Sequence, residues 1–338
     1  MPVASARPAP TGAGSPWRPL RHEPKPSSGN RTCATVPRRP HAGREKLKTA
    51  IHRSLLFAPG NHARRVAKAL ALDADCVILD LEDACPIAEK KATRALVVAA
   101  CQRSRKSRGY VRVNATSTEF GYGDIVATVA QGVDGIVLPK VESADEIRAV
   151  DWVIANLEQD RGLAAGQFDV IPIVETGKGM ANVRAIAAAA PRIRRIAFGA
   201  GDLTLDMNIE WSRGESELLP YRSECVLASR AAGIEAPLDT VWVDLADAEG
   251  LRASTRHVKS LGFQGKMCIH PDQVSEVNAI FSPSAAEVEW SRKVVQAFEA
   301  AEAAGSASIQ LEGKFIDYPI VDRARRVLET VARIAARA

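Results

Sequence analysis

The strongest constraint on the fold is an alternation that fills the chain from residue 52 to about residue 280. Eight short apolar runs alternate with longer amphipathic stretches. Continuous apolar strands between helices are typical of βαβ units and a parallel sheet. Eight such units within about 230 residues predict an α/β fold of the (β/α)₈ TIM-barrel type. The alternative is a doubly wound open sheet, but no Gly-x-Gly-x-x-Gly turn follows the first run.

The predicted strands occupy the apolar runs, and the predicted helices lie between them. The strands are Ser54–Ala58, Cys76–Leu81, Tyr110–Asn114, Gly135–Pro139, Val170–Glu175, Arg195–Gly199, a segment near Ile234–Val243, and Gln264–Ile269. The helices are 61–72, 86–103, 122–131, 143–158, 179–190, 215–232, 247–261 and 271–280. A helix near 284–303, a Gly/Ser break and a last helix near 320–336 follow the eighth unit. This last part is too small to fold alone, so we expect it to pack on the barrel or on a neighbouring subunit.

The positive charge of the chain is concentrated in its first 48 residues. This segment has ten Lys or Arg and two Glu, a charge of +8, so residues 49–338 carry 5 − 8 = −3. It is rich in Pro, Ala, Gly and Ser, which predicts a disordered basic tail. An inert or artefactual extension, for instance from a mistaken upstream start codon, is our preferred interpretation. Targeting, including mitochondrial targeting, and charge-driven surface or nucleic-acid binding are the alternatives, and no apolar signal-peptide core is present.

The composition indicates which partners and which cellular compartment to expect. No uncharged apolar run approaches the ~18 residues of a membrane span, so no membrane partner is expected. The six cysteines form no Cys-x-x-Cys pair and no cluster with histidine. This spacing argues against a zinc site or a disulfide scaffold and favours a reducing, cytoplasmic location. With the basic charge confined to the tail, no nucleic-acid partner is expected for the body.

Charged residues follow the predicted strands, at the end of the barrel where active sites lie. Glu175 and Asp202 end neighbouring strands, so their carboxylates are expected to converge. Two carboxylates with water and substrate oxygens suit Mg²⁺. The alternative is that each acid caps the helix that follows it. The charged residues at these strand ends are Asp80, Glu82, Asp83, Arg112, Lys140, Glu142, Glu175, Asp202 and His270.

Arg112 is predicted to point into the barrel, because it alternates with Tyr110 in Tyr-Val-Arg-Val-Asn. An inward arginine needs an anion, and its planar fork suits a carboxylate. The alternative is an ion pair with the acids after the second strand, which would also let those acids orient Arg112 or nearby waters. Lys140 is expected to contact substrate or solvent, with a Schiff base as the competing hypothesis. His270 is expected either to start a helix or to contact a ligand.

These residues lie in segments that resemble a known family. The chain is similar to the β-subunit of citrate lyase and to the CoA-ester lyases of the HpcH/HpaI aldolase group. The matching segments run in family order over about 270 residues. They are Arg-Ser-Leu-Leu-Phe-Ala-Pro-Gly-Asn (53–61), Asp-Leu-Glu-Asp-Ala (80–84), Arg-Val-Asn (112–114), Leu-Pro-Lys-Val-Glu (138–142), Ile-Val-Glu-Thr-Gly (173–177), Phe-Gly-Ala-Gly-Asp-Leu (198–203), Lys-Met-Cys-Ile-His-Pro-Asp-Gln (266–273) and Gly-Lys-Phe-Ile-Asp-Tyr-Pro (313–319).

The resemblance implies a TIM barrel with a C-terminal lid, usually in trimers or hexamers. It implies that Glu175 and Asp202 bind Mg²⁺ and that Arg112 holds a substrate carboxylate. It also implies that Asp317 belongs to a lid over a neighbouring subunit's site, and that Arg53 contacts CoA or substrate. The predicted organisation is thus a disordered basic tail (1–48), a catalytic barrel (49–282) and a C-terminal helix and lid (283–338).

The implied reaction is reversible carbon–carbon cleavage of a 3-hydroxy-3-carboxyacyl-CoA, such as a malyl-, citramalyl- or citryl-CoA, to an acyl-CoA and a 2-oxo acid. Three alternatives stay open. One is a metal-dependent aldolase acting on free 2-oxo acids. Another is a citrate lyase β-subunit acting on an acyl-carrier thioester. The third is a barrel without catalytic activity that serves as a binding subunit.

Overall fold

The structure, a computed structural model, describes residues 50–337 and contains a closed barrel of eight parallel strands. Each strand pairs with the next along the chain, and the eighth pairs with the first. The strands are β1 (Ser54–Pro59), β2 (Cys76–Asp80), β3 (Arg108–Arg112), β4 (Gly135–Leu138), β5 (Asp169–Val174), β6 (Ala197–Phe198), β7 (Leu238–Asp239) and β8 (Gly265–Cys268). The predicted (β/α)₈ barrel is confirmed, and the open-sheet alternative is wrong. The tail predicted for residues 1–48 lies outside the described residues.

Helices surround the barrel and continue beyond it. They are α1 (Ala63–Ala71), α2 (Lys90–Cys101), α3 (Gly121–Thr128), α4 (Ala144–Asp160), α5 (Gly177–Ala181), α6 (Val183–Ala187), α7 (Ala200–Asp206), α8 (Leu219–Ala231), α9 (Ala248–Leu261), α10 (Pro271–Phe281), α11 (Ala285–Ala303) and α12 (Tyr318–Ala335). The helix predicted over 179–190 is two short helices, because the chain turns at Asn182. None of these helices combines the length and apolar composition needed to cross a membrane.

Two apolar layers explain why the strands are uninterrupted apolar runs. In β2, Cys76 and Ile78 belong to the cluster inside the barrel, while Val77 and Leu79 belong to the larger cluster between strands and helices. All four side chains are fully buried. A strand that is buried on both faces cannot show the apolar–polar alternation of a half-exposed one.

The same alternation brings polar side chains to the top of the barrel interior. Tyr110 lies inside the barrel, so Arg112, two residues further along β3, continues on the inward face. Asp80 is the register partner of Arg112 at the carboxyl end of β2. Ile171 and Ile173 are interior residues of β5, and Glu175 follows them with the same parity. The barrel geometry therefore collects these three charged residues at one end.

The C-terminal segment forms its own small packing unit. Helices α11 and α12 pack together, joined by a hairpin of β9 (Ile309–Leu311) and β10 (Lys314–Ile316) that was not predicted. Its core includes Phe298, Ile316 and Val321. The boundary predicted at 282/283 falls in the connection between α10 and α11.

Candidate active site at the carboxyl end of the barrel

Arg112 and Asp80 form a two-pronged ion pair at the centre of the carboxyl end. Asp80 Oδ1 accepts a hydrogen bond from Arg112 Nε at 2.7 Å, and Asp80 Oδ2 accepts one from Nη2 at 2.6 Å. Only 12% of the Arg112 side chain and 1% of the Asp80 side chain are exposed. Burial alone would raise the pKa of Asp80, but the hydrogen bonds and charge of Arg112 outweigh it and hold that pKa below its usual value.

Two further acids of the same loop approach Arg112. Glu82 Oε2 lies 2.9 Å from Nη1, and Asp83 Oδ2 lies 3.6 Å from it on a largely exposed side chain. The ion pairs that the sequence offered as an alternative are therefore present. Asp80 uses two of the five N–H groups of the guanidinium. The pairing thus orients Arg112 and leaves N–H groups on Nη1 and Nη2 for an anionic ligand.

Glu175 is a buried carboxylate whose surroundings are mostly negative. Its Oε1 accepts a hydrogen bond from the backbone N–H of Lys140 at 2.8 Å, and the side chain is almost fully buried. Burial, followed by the charges of Asp202 and Glu82, raises the pKa of Glu175 to about 8, against the opposing effect of Lys140. Asp202 lies in the first turn of α7, and its charge is among the causes of this raised pKa, which fits the expected convergence of the two carboxylates.

Gly199 makes room for this carboxylate. A β-carbon at Gly199 would lie 2.4 Å from Glu175 Oε2, well inside van der Waals contact. The residue sits between β6 and α7 with an extended backbone that any amino acid can adopt. The glycine is therefore needed for space and not for backbone conformation.

Lys140 connects the acids of β2 with those of β5 and β6. Its backbone is left-handed (φ 52°), which is uncommon for a residue with a side chain. The Nζ atom donates to Glu82 Oε1 at 2.6 Å and lies 3.6 Å from Asp202 Oδ2. Burial opposes the charge, but Glu82 first, then Glu175 and Asp202, raise the pKa of Lys140 above its usual value. A protonated ammonium is not a nucleophile, so the Schiff-base hypothesis is disfavoured.

The side chains that form this site carry more negative than positive charge. Five acidic side chains (Asp80, Glu82, Asp83, Glu175 and Asp202) lie beside two cations (Arg112 and Lys140), and the raised pKa of Glu175 reflects its burial and this excess of acids. Buried charge of one sign needs a counter-charge. Within residues 50–337, no three His, Cys, Asp or Glu side chains converge as a preformed metal centre. Mg²⁺ does not require one, since it binds one or two carboxylates and keeps several waters or substrate oxygens. The Glu175–Asp202 pair fits such an ion.

Comparison with known proteins is consistent with this geometry. The family model of HpcH/HpaI aldolase/citrate lyase matches residues 53–271. The chain belongs to this family. The β-subunit of citrate lyase from Escherichia coli K12 is 36% identical over 289 residues, covering 85% of this chain and 95% of that protein. A (3S)-malyl-CoA thioesterase of Cereibacter sphaeroides (strain ATCC 17025) is 36% identical over 286 residues, covering 84% and 96%.

A solved structure shares the fold of this HpcH/HpaI chain. The CitE protein of Mycobacterium tuberculosis, in complex with magnesium, acetoacetate and coenzyme A, has a TM-score of 0.68 and 31% sequence identity. The alignment covers 85% of this chain and all of that one. As a member of the HpcH/HpaI aldolase/citrate lyase family with citrate lyase β-subunits among its relatives, this chain is a lyase.

Arg53 lies at the opposite end of the barrel. It precedes β1, and its Nε and Nη2 atoms donate to Asp75, which precedes β2, at 2.9 Å each. Its Nη1 donates to Ser282 at 2.8 Å. An arginine at the amino end, with its guanidinium occupied by protein groups, cannot reach a ligand at Arg112. This placement corrects the predicted contact of Arg53 with CoA or substrate.

His270 and Asp317 both begin helices. His270 follows β8 at the same end as Arg112, its Nδ1 accepts from the backbone N–H of Asp272 at 3.3 Å, and 45% of its side chain is exposed. Asp317 caps α12, with Oδ1 accepting from the backbone N–H of Ile320 at 3.4 Å. Neither side chain hydrogen-bonds Arg112, Glu175 or Asp202 within the described chain. A ligand contact for His270 and a lid role for Asp317 therefore remain proposals.

Phe57 is a site residue that was not predicted. The Arg112 guanidinium carbon lies 4.8 Å from the centre of its ring. A guanidinium this close to an aromatic ring gains a favourable cation–π interaction, so Phe57 helps to hold Arg112 in place. The sequence did contain a signal for this position. Phe57 is two residues after Leu55 on β1, and Leu55 faces the barrel interior, so Phe57 must face the interior too.

Proposed function

We propose that the chain is a Mg²⁺-dependent lyase that cleaves or forms the carbon–carbon bond of a 3-hydroxy-3-carboxyacyl-CoA. Malyl-, citramalyl- and citryl-CoA are the candidate substrates, giving acetyl-CoA or a related acyl-CoA and a 2-oxo acid. One connected set of contacts carries the proposal. Glu82 contacts both Arg112 and the Lys140 side chain. Lys140 in turn binds Glu175 through its backbone N–H, which links the oriented Arg112 to the acidic pair Glu175 and Asp202. A relative named for malyl-CoA and a neighbour holding magnesium, acetoacetate and coenzyme A support the substrate class.

Each residue has a defined task in this reaction. Arg112 holds the carboxylate of the 2-hydroxy acid portion through its free N–H groups. Glu175 and Asp202 hold the metal, which when bound acts as a Lewis acid toward the oxygen that becomes the carbonyl. Asp80 and Glu82 orient Arg112, while Lys140 holds Glu82 and limits the repulsion among the acids. His270, at the rim, is proposed to contact the substrate.

Cleavage breaks one C–C bond and needs two proton transfers. The hydroxyl gives its proton to a base, its C–O bond becomes a carbonyl, and the electrons of the breaking C–C bond pass to the α-carbon of the thioester as an enolate. Protonation of that carbon gives the acyl-CoA. Asp317, from the C-terminal segment of a neighbouring subunit, is the candidate for this proton transfer. A segment that closes over the site would exclude water and protect the enolate.

A substrate panel tests the proposal. Malyl-, citramalyl- and citryl-CoA are each incubated with the enzyme and Mg²⁺, and glyoxylate, pyruvate or oxaloacetate is measured. We expect one 2-oxo acid to appear and EDTA to abolish its formation. Free CoA thiol released with intact hydroxy acid would instead indicate a thioesterase. Activity in EDTA with borohydride trapping at Lys140 would establish the Schiff-base route.

An acyl-carrier thioester is the second candidate substrate, because the chain is similar to citrate lyase β-subunits over almost their whole length. Citryl-CoA and a citryl thioester of an acyl carrier protein, compared at equal concentration, separate the two. Activity on free 2-oxo acids without any thioester would favour the aldolase alternative. Absence of turnover with all of them would favour a binding barrel.

We further propose a cytoplasmic homotrimer or hexamer. The five cysteines within residues 50–337 are free and buried, which fits a reducing compartment. The Asp317 side chain caps α12 and makes no hydrogen bond or ion pair with Arg112 or Glu175 in the described chain, so we assign its proton-transfer role to a neighbouring copy. Light scattering of the purified protein measures the oligomeric state directly.

A further inference from the structure

Lys90, the first residue of α2, is a buried cation with no role in the reaction described so far. Its Nζ atom donates to the carbonyl oxygens of Leu81 and Glu82 and to Asn114 Oδ1, the first at 2.8 Å and the last at 2.7 Å. An ammonium has three N–H donors, so all of them are used. Nowhere in residues 50–337 does a carboxylate lie within ion-pair distance of Lys90. Burying a cation without a paired anion costs free energy, which its three hydrogen bonds offset only in part.

The two carbonyl groups that Lys90 binds belong to the loop that surrounds Arg112. Glu82 approaches Arg112 Nη1 with one carboxylate oxygen and Lys140 Nζ with the other. Asp80, one residue before Leu81, carries the two-pronged pair with Arg112. Lys90 therefore holds the backbone between Asp80 and Glu82, while the side chains of both acids contact Arg112.

Asn114 extends this support to the next strand. Its Nδ2 atom donates to Leu81 O at 2.9 Å and to Asp124 Oδ2 at 2.6 Å, so one side chain joins the β2 loop, the β3 loop and α3. Lys90 and Asn114 thus both hold the carbonyl of Leu81. These contacts come from residues far apart in sequence and converge on one peptide segment.

We propose that Lys90 is a positioning residue for substrate binding: by holding the Leu81 and Glu82 carbonyls, it sets the Asp80 and Glu82 side chains that orient Arg112. This inference rests on the proposed function, since it assigns Arg112 to the substrate carboxylate. Lys90 touches neither substrate nor metal in this arrangement. Displacement of a binding group by about 1 Å can cost 100-fold in rate, so a residue behind Arg112 can matter strongly.

The test replaces Lys90 by Met, which keeps the chain length and removes the three donors. Lys91→Met is the matched control, because Lys91 is the next residue of the same helix and is exposed. We expect Lys90→Met to raise KM for the CoA ester about tenfold or more, with a smaller effect on kcat, since Arg112 binds the carboxylate in ground and transition states alike. Lys91→Met is expected to leave both unchanged. A lower melting temperature with unaltered KM would overturn the proposal.

Two further measurements keep the test decisive. If Lys90→Met does not fold, Asn114→Ala, which removes one of the three acceptors, is expected to raise KM in the same direction by less. The double variant Lys90→Met/Glu82→Gln is expected to be no worse than the poorer single variant, because both act through one loop. Fully additive effects would contradict the positioning role.

Binding of pyruvate in the presence of Mg²⁺, measured by calorimetry, separates this inference from the proposed function. Should the wild-type enzyme cleave none of the CoA esters, the proposed function fails. Weaker pyruvate binding by Lys90→Met than by Lys91→Met would still support the positioning role. Equal binding by the two variants would refute it.

Discussion

Asp80 binds Arg112 through both carboxylate oxygens, at 2.7 Å to Nε and 2.6 Å to Nη2, across the register pair that joins the ends of β2 and β3. The pair is buried, so the two charges hold each other in a fixed direction. The edge of the guanidinium that Asp80 occupies is no longer available to a ligand, and the remaining N–H groups are the ones presented to the barrel mouth.

The first prediction concerns this pair. Asp80→Asn is expected to destabilise the fold by roughly 3 kcal/mol, since removing one partner leaves a buried charge undercompensated. It is also expected to lower kcat/KM, because Arg112 loses its fixed orientation. Denaturant unfolding and steady-state kinetics measure the two effects. Asp83→Asn is the control, since Asp83 is 63% exposed and 3.6 Å from the same guanidinium. An equal loss of stability in both variants would show that the two-pronged geometry is unimportant.

A second prediction tests the space beside Glu175. Gly199→Ala places a β-carbon where Glu175 Oε2 now lies, so the carboxylate must move. We expect weaker Mg²⁺ binding and lower activity without any change to a charged group. Gly201→Ala, in the first turn of α7, is the matched control, because its added methyl would have its nearest neighbour, Trp211, at 3.9 Å. Titration of activity against Mg²⁺ concentration measures the apparent affinity. An unchanged affinity in Gly199→Ala would remove Glu175 from the metal site.

The barrel and the strand-end acids were predictable because both depend on local patterns. An apolar run that ends in a charged residue places that residue at the carboxyl end of a strand. Parity then predicts which side chains face inward, as for Arg112 and Glu175. The resemblance added Asp317, whose position before Tyr-Pro has no local signal beyond a turn.

The pairings within the site were not predictable, because they join distant segments. Lys140 and Glu82 are 58 residues apart, and no local sequence pattern indicates the left-handed backbone at Lys140. Arg53 was misplaced for a different reason. A motif match does not say which end of a strand a residue occupies, whereas its position before β1 places it at the amino end. The short helix α7 has too few residues to give a helical pattern.

The third prediction is a dependence of stability on pH. Burial first, then the nearby charges of Arg195 and Arg108, hold the pKa of His52 well below its usual value, although Asp169 opposes them. The folded state therefore keeps His52 neutral, whereas the unfolded chain takes up a proton below about pH 6.5. Stability is then fully present above pH 6.5. It falls as the pH decreases, at up to about 1.4 kcal/mol per pH unit, until the folded pKa is reached.

His52→Gln removes this titration while keeping a side chain that can bond the Tyr110 hydroxyl, which lies 3.1 Å from His52 Nε2. Denaturant unfolding is measured at pH 7.0, 6.0 and 5.5, values chosen to lie around the unfolded-state histidine pKa of ~6.5. The free energy of unfolding should decline less steeply with decreasing pH for this variant than for the wild type. The control is His257→Gln, because His257 is exposed on α9 and is expected to leave the slope unchanged. Parallel pH profiles for His52→Gln and wild type would contradict the prediction.

The last prediction separates the structural and catalytic roles of Asp317. Asp317→Asn keeps an N-cap residue of similar quality, so the melting temperature is expected to stay the same. Turnover is expected to fall about 100-fold or more, because the amide cannot exchange the proton of the α-carbon. Pyruvate and Mg²⁺ binding are expected to persist, since Asp317 does not contact Arg112 or Glu175 in its own chain.

Asp317→Ala should lose about 1 kcal/mol of stability in addition, through the missing cap. Exchange of the acetyl-CoA methyl protons with deuterated water, followed by mass spectrometry, reads the proton transfer directly. Wild-type exchange rates in Asp317→Asn would assign that step to another group and leave Asp317 as a helix cap.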